Sequence, residues 1–91
     1  MNIPQITNID TAIKIYYSYT EIGTKEITQL FTRHSKSTIN RLKKIAQKRM
    51  IQENVYSYGM YKVNTECAYK SWGIDIQDLE KRRNKLQKLG L

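Results

Sequence analysis

A cluster of hydrogen-bonding and cationic side chains occupies the middle of the chain. Asn40 and Arg41 follow Ser37 by three and four residues, and Lys44 follows them by four and three, a spacing that places side chains on one face of a helix. Arg and Lys donate hydrogen bonds to guanine edges, Asn pairs with adenine, and Ser bonds to either. The pattern therefore predicts a helix face that contacts base edges, to which we add the neighbouring Lys36.

Positive charge is concentrated in the same part of the sequence. The net charge of the 91 residues is +8, and residues 33–62 alone hold eight basic side chains and one acidic side chain. A surface that neutralises phosphates needs this local density. We expect contacts to the DNA backbone from the following residues: Arg33, Ser35, Lys43, Lys48, Tyr56, Tyr58 and Lys62.

The helix that carries the base-contacting face is predicted over residues 36–48, with Ser35 as its N-cap. At 100° per residue one side is mostly apolar and the other polar. The predicted inward side comprises Thr38, Ile39, Leu42, Ile45 and Ala46.

Other elements must hold this helix in place. We predict a first helix from an N-cap at Thr7 or Asn8 to about Tyr19, and a short second helix capped by Thr24. The residue pattern predicts the two strands of a hairpin at 50–52 and 60–63, with Gly59 in the turn. We expect Tyr61 to pack within that hairpin, whereas Tyr56 and Tyr58 fit packing or DNA contact equally well.

The C-terminal part predicts two more helices. Asn64 or Thr65 caps a short one that ends near Trp72, which we expect to anchor the last helix to the core. Asp75 caps that last helix, predicted over residues 76–89 with an apolar stripe interrupted by Arg83. It either folds back onto the core or pairs with its copy in a dimer, and we favour the dimer. We thus divide the chain into a domain at 1–74 and an amphipathic helix at 75–91.

The order of these elements, and the residues within them, resemble bacterial and phage winged helix-turn-helix regulators. The segments 26–30 and 35–45 are similar to that motif, whose recognition helices often read as variants of SKSTVSRLLKRL. The resemblance implies DNA contacts at Lys36, Ser37, Asn40 and Arg41. Two features depart from the family: the position usually occupied by Gly after the recognition helix holds Arg49 or Met50, and the wing tip lacks Arg. We accordingly expect the fold to be mostly α-helical with a small β-hairpin (α+β). The expected architecture is a winged helix-turn-helix with an additional C-terminal helix.

Composition excludes several other classes. One Cys and one His cannot form a four-ligand zinc site or an internal disulfide. The residues offer no catalytic constellation, so we expect neither an enzyme nor a cofactor, metal or small-molecule ligand. The apolar runs are too short to span a membrane, and no secretory signal is recognisable. We expect a cytoplasmic, nucleoid-associated protein, and we expect Cys67 to be a small packed residue.

The combined prediction is a homodimeric, sequence-specific double-stranded DNA-binding protein that regulates transcription. Small size and a high content of Ile, Lys, Tyr and Asn, whose codons are AT-rich, fit a phage or plasmid regulator. Two alternatives stay open: a DNA-binding accessory protein for excision, replication or partition of a mobile element, and a winged-helix module that binds an acidic protein partner.

Overall fold

Five helices and two short strands form the parts of the chain that the computed structural model describes, residues 3–59 and 61–90. In chain order they are α1 (Ile9–Ser18), β1 (Glu21–Ile22), α2 (Thr24–Leu30), α3 (Lys36–Gln52), β2 (Val63–Asn64), α4 (Thr65–Ser71) and α5 (Ile76–Lys88). The strands β1 and β2 are antiparallel, with Glu21 opposite Asn64 and Ile22 opposite Val63. The expectation of a mostly helical chain with little β-structure is confirmed.

Short polar side chains begin most of these helices, as the sequence predicts. Each accepts a hydrogen bond from a free backbone N–H of the first turn. These caps are Asn8 for α1, Ser35 for α3, Asn64 for α4 and Asp75 for α5. The prediction for α2 is one residue off, because Gly23 is the N-cap and Thr24 the first helical residue. The Glu26 carboxylate accepts from the Gly23 N–H at 2.9 Å and so stabilises this end.

The predicted strand at residues 50–52 is wrong, because α3 continues to Gln52. Met50 lies four residues beyond Ala46 and extends the buried face of the helix by one turn. Its sulfur also accepts a hydrogen bond from the Asn64 N–H of β2 at 3.3 Å. Packing against β2 thus favours helix over a strand at this short apolar segment.

The predicted hairpin is also wrong, since the sheet joins distant segments. In the second predicted strand, 60–63, Met60 lies outside the described residues and Tyr61 has a φ of 64°, which is not extended. Among the described residues of that segment, 61–63, only Val63 is in a strand, and its partner lies between α1 and α2. Residues 53–59 and 61–62 therefore belong to a loop, which we call the tyrosine loop.

Aromatic side chains hold the helices together behind α3. Trp72 ends α4, and its indole N–H donates to the Leu42 carbonyl in the middle of α3 at 2.9 Å. Its ring meets that of Phe31 edge to face, with centroids 5.4 Å apart. The buried Tyr69 hydroxyl donates to the Ala12 carbonyl of α1 at 2.6 Å. Trp72 is thus buried in the core, but its hydrogen bond joins α4 to α3, and its expected role as an anchor of the last helix stays a prediction.

The last helix packs on α1 over its first half. Leu79 is buried there, and Glu80 accepts a hydrogen bond from the Tyr17 hydroxyl. Farther along, Leu86 is 41% exposed and Leu89 72% exposed. The first half of α5 thus folds back onto the core, whereas the apolar side chains of its second half are exposed to solvent. None of the helices within residues 3–59 and 61–90 is long and apolar enough to cross a membrane.

Candidate nucleic-acid interface

The orientation of α3 is fixed by its buried face. Ile39, Leu42, Ala46 and Met50 are all buried in the core, where α2 and α4 pack against the helix. Their spacing of three and four residues keeps them on one side over the whole length of the helix. The opposite side is therefore held toward solvent by the same packing.

All five predicted base-contacting residues lie on that solvent side and are exposed: Lys36, Ser37, Asn40, Arg41 and Lys44. Ser37, Arg41, Lys44 and Lys48 form a strip along α3, since they are spaced by four, three and four residues. Asn40 lies beside this strip. We call these exposed residues of α3 the recognition face.

Ile51 extends this strip by one more turn and was missed in the sequence analysis. It follows Lys48 by three residues, and it is 77% exposed. An apolar side chain on a recognition face can contact thymine methyl groups. A predicted helix extended past residue 48 would have placed Ile51 on the same side as Lys48, since successive helical residues are rotated by 100°.

The cations of the recognition face have no acidic partners within the described part of the chain. Ion pairs there join Arg49 to Glu53, Lys70 to Glu53 at 3.9 Å, and Arg82 to Asp78 at 3.1 Å. None of them involves Lys36, Arg41, Lys44 or Lys48, and α3 itself contains no acidic residue. The positive charge of this face is therefore left to attract external anions.

The turn between α2 and α3 adds further polar groups. Arg33 is exposed and has a φ of 70°, in the left-handed region. The Ser35 hydroxyl accepts from the Thr38 N–H at 3.3 Å, so its first role is to cap α3. His34 is likewise exposed. Both predicted backbone-contacting residues of this turn thus adjoin the start of the recognition face.

The tyrosine loop follows the C-terminal end of α3. Its last part reaches Lys43, whose ammonium group is 5.7 Å from the centre of the Tyr61 ring. Lys43 is half-buried, whereas Lys62 is exposed. The expectation that Tyr61 packs within a hairpin is wrong, since this side chain is 77% exposed.

Glu21 fastens the tip of this loop to β1. Its carboxylate accepts hydrogen bonds from the backbone N–H groups of Tyr58, at 2.5 Å, and Gly59, at 2.8 Å. A Cβ atom at Gly59 would lie 3.2 Å from a Glu21 carboxylate oxygen and 2.8 Å from Cδ of Lys62. Glycine therefore allows the close approach between the loop and the carboxylate. Tyr56 and Tyr58, the predicted contacts on this loop, point into solvent and are 82% and 99% exposed.

The remaining reactive side chains do not form a second site. Cys67 is buried, as expected of a packed residue, and burial raises the pKa of its thiol, which lowers its reactivity. In residues 3–59 and 61–90, no three His, Cys, Asp or Glu side chains come together in a way that could hold a metal ion.

Comparison with protein-family models, with curated proteins and with solved structures finds no match to this chain.

Proposed function

We propose that this chain is a sequence-specific double-stranded DNA-binding protein that regulates transcription, built as a winged helix-turn-helix in which the tyrosine loop stands in place of the wing hairpin. The observation that carries the proposal is the recognition face. It presents Arg, Lys, Asn and Ser to solvent on a helix whose opposite side is locked into the core. These residue types form hydrogen bonds with base edges in the major groove.

Phosphate contacts in this proposal come from several elements. Arg33 and Ser35 lie at the start of α3, Lys43 lies next to Tyr61 of the tyrosine loop, and Lys62 belongs to that loop. Lys48 supplies a further cation on α3 itself. Such contacts fix the position of a protein on the duplex, while base contacts provide the sequence preference.

The test is selection of bound sequences from a random duplex pool at physiological salt, followed by sequencing. An enriched motif supports the proposal, and its loss in Asn40→Ala and Arg41→Ala assigns the reading to the recognition face. Salt-sensitive binding without any enriched motif would contradict sequence-specific recognition.

We also propose that the protein acts as a homodimer through the exposed end of α5. Leu86 and Leu89 are three residues apart, a spacing that places them on one side of the helix. The buried Leu79 belongs to the monomer core, so the residues available to a second copy are mainly Leu86 and Leu89.

Sedimentation analysis of the full chain tests the dimer. We expect the double variant Leu86→Lys/Leu89→Lys to be monomeric and folded, since both side chains are exposed. The control Gln77→Lys/Asn84→Lys adds the same charge at other exposed positions of α5 and should stay dimeric. A monomeric wild-type protein would refute this part of the proposal.

A further inference from the structure

The tyrosine loop exposes aromatic surface that the fold does not use. Tyr56, Tyr58 and Tyr61 are 82%, 99% and 77% exposed, although tyrosine rings in proteins generally bury their apolar faces. Tyr58 in particular has both ring faces free.

The backbone that carries these rings is firmly held. Val55 donates its N–H to the Met50 carbonyl at 2.9 Å, where α3 ends. The Ser57 hydroxyl donates to the Gly59 carbonyl at 2.7 Å, and Glu21 accepts from two N–H groups of the tip. The rings are thus presented by an ordered loop, which lowers the entropic cost of binding a ligand.

The tip of the tyrosine loop lies next to a negative charge, whereas the end of the loop lies next to a positive charge. The Glu21 carboxylate lies within hydrogen-bond distance of the Tyr58 and Gly59 N–H groups, and a negative charge there disfavours a phosphate. The cation Lys43 contacts the loop near Tyr61 instead. The tip is therefore better suited to a neutral planar group, and the end near Tyr61 to phosphate.

We infer that Tyr56 and Tyr58 bind unpaired nucleobases by stacking, so that the protein prefers DNA in which a single-stranded segment adjoins the duplex. This inference rests on the proposed DNA-binding function and specifies the DNA structure that the loop contacts. In an intact duplex each base face is covered by its neighbours, so free tyrosine faces gain stacking partners only where bases are unpaired.

Fluorescence anisotropy with three labelled DNAs tests the inference. The first is a blunt duplex, the second carries an unpaired tail, and the third carries a tail of equal length made of abasic nucleotides. Tails are placed on either strand at each end. We expect the wild-type protein to prefer the base-containing tail by roughly tenfold or more over both other DNAs, since stacking on one aromatic side chain is commonly worth that much.

Two double variants identify the chemical group responsible. Tyr56→Phe/Tyr58→Phe keeps the rings and should keep the preference, whereas Tyr56→Leu/Tyr58→Leu should lose the preference and still bind the blunt duplex. All four changes are at exposed positions and leave the core intact. Three outcomes would each overturn base stacking. The wild-type protein could bind the abasic and base-containing tails with equal affinity, the Leu variant could keep the preference for the base-containing tail, or the Phe variant could bind that tail as weakly as the Leu variant does. Binding of the blunt duplex separates these outcomes from failure of the proposed function, in which no DNA is bound.

Discussion

The salt dependence of the proposed DNA binding would provide a quantitative test of the charged surface around α3. Lys48 and Lys62 are exposed, and neither forms an ion pair within residues 3–59 and 61–90. Each is therefore free to displace one counterion from a DNA phosphate. Replacing both by Ala should reduce the slope of log K against log salt by about 1.8, because each phosphate contact on duplex DNA contributes roughly 0.9.

That change in slope corresponds to a measurable difference in affinity. Between about 50 and 200 mM salt, the wild-type protein should lose roughly tenfold more affinity than Lys48→Ala/Lys62→Ala. The variant should also bind specific and random duplexes more weakly by the same factor, since phosphates carry no sequence information. Fluorescence anisotropy titrations at four or more salt concentrations measure both quantities.

A matched variant separates local contacts from overall charge. Lys81→Ala/Lys88→Ala removes the same charge from exposed positions of α5, away from the recognition face, and should leave the slope close to that of the wild type. If this control lowers the slope as much as the α3 variant, the protein binds DNA through its net charge, and the interface assigned to α3 is wrong.

Three further predictions concern the recognition face and the core. Asn40→Ala and Arg41→Ala should each cost about 1–3 kcal/mol at one position of the selected site and relax its sequence preference, as competition binding with single-base variants of the site would show; an unchanged preference would contradict the assignment of the face. Trp72→Phe removes the N–H donor to the Leu42 carbonyl and part of a buried ring, and should lower the free energy of unfolding in urea by about 2 kcal/mol; a change near zero would show that α4 is not clamped to α3 by this residue. Burial raises the pKa of Tyr69 above its ordinary value of 10.0, so the folded protein holds the phenol proton more tightly than the unfolded chain does. The stability that is present below pH 10 should therefore fall as the pH rises further. Tyr69→Phe should weaken this loss of stability at alkaline pH, and a pH profile identical to that of the wild type would refute the assigned cause.

Local signals in the sequence predicted much of the helical structure and of the recognition face. Asn8, Ser35 and Asp75 precede helical periods, and a capping side chain acts within three residues of its own position. The exposed positions of α3 follow from one helix with one apolar side, so the face could be assigned without knowledge of the remaining fold.

The errors arose where distant segments decide the structure. The short run from Met50 to Gln52 fits a helix or a strand equally well, and contact with β2 selects the helix. The pairing of Ile22 with Val63 and the two hydrogen bonds from the loop tip to Glu21 join residues far apart in sequence. The periodicity of a sequence does not indicate contacts between distant segments. The conformation of the tyrosine loop and the exposure of Tyr61 therefore could not be predicted.

The capped and core-packed state of α3 has a consequence for the thermodynamics of the proposed DNA binding. Its N-terminal cap is formed, its buried face is complete, and the neighbouring loop is already hydrogen bonded in the free protein. Association is therefore expected to proceed without coupled folding of this region. Calorimetry should show a heat-capacity change smaller than that of systems that bury about 1,000–3,000 Å² by folding on the ligand.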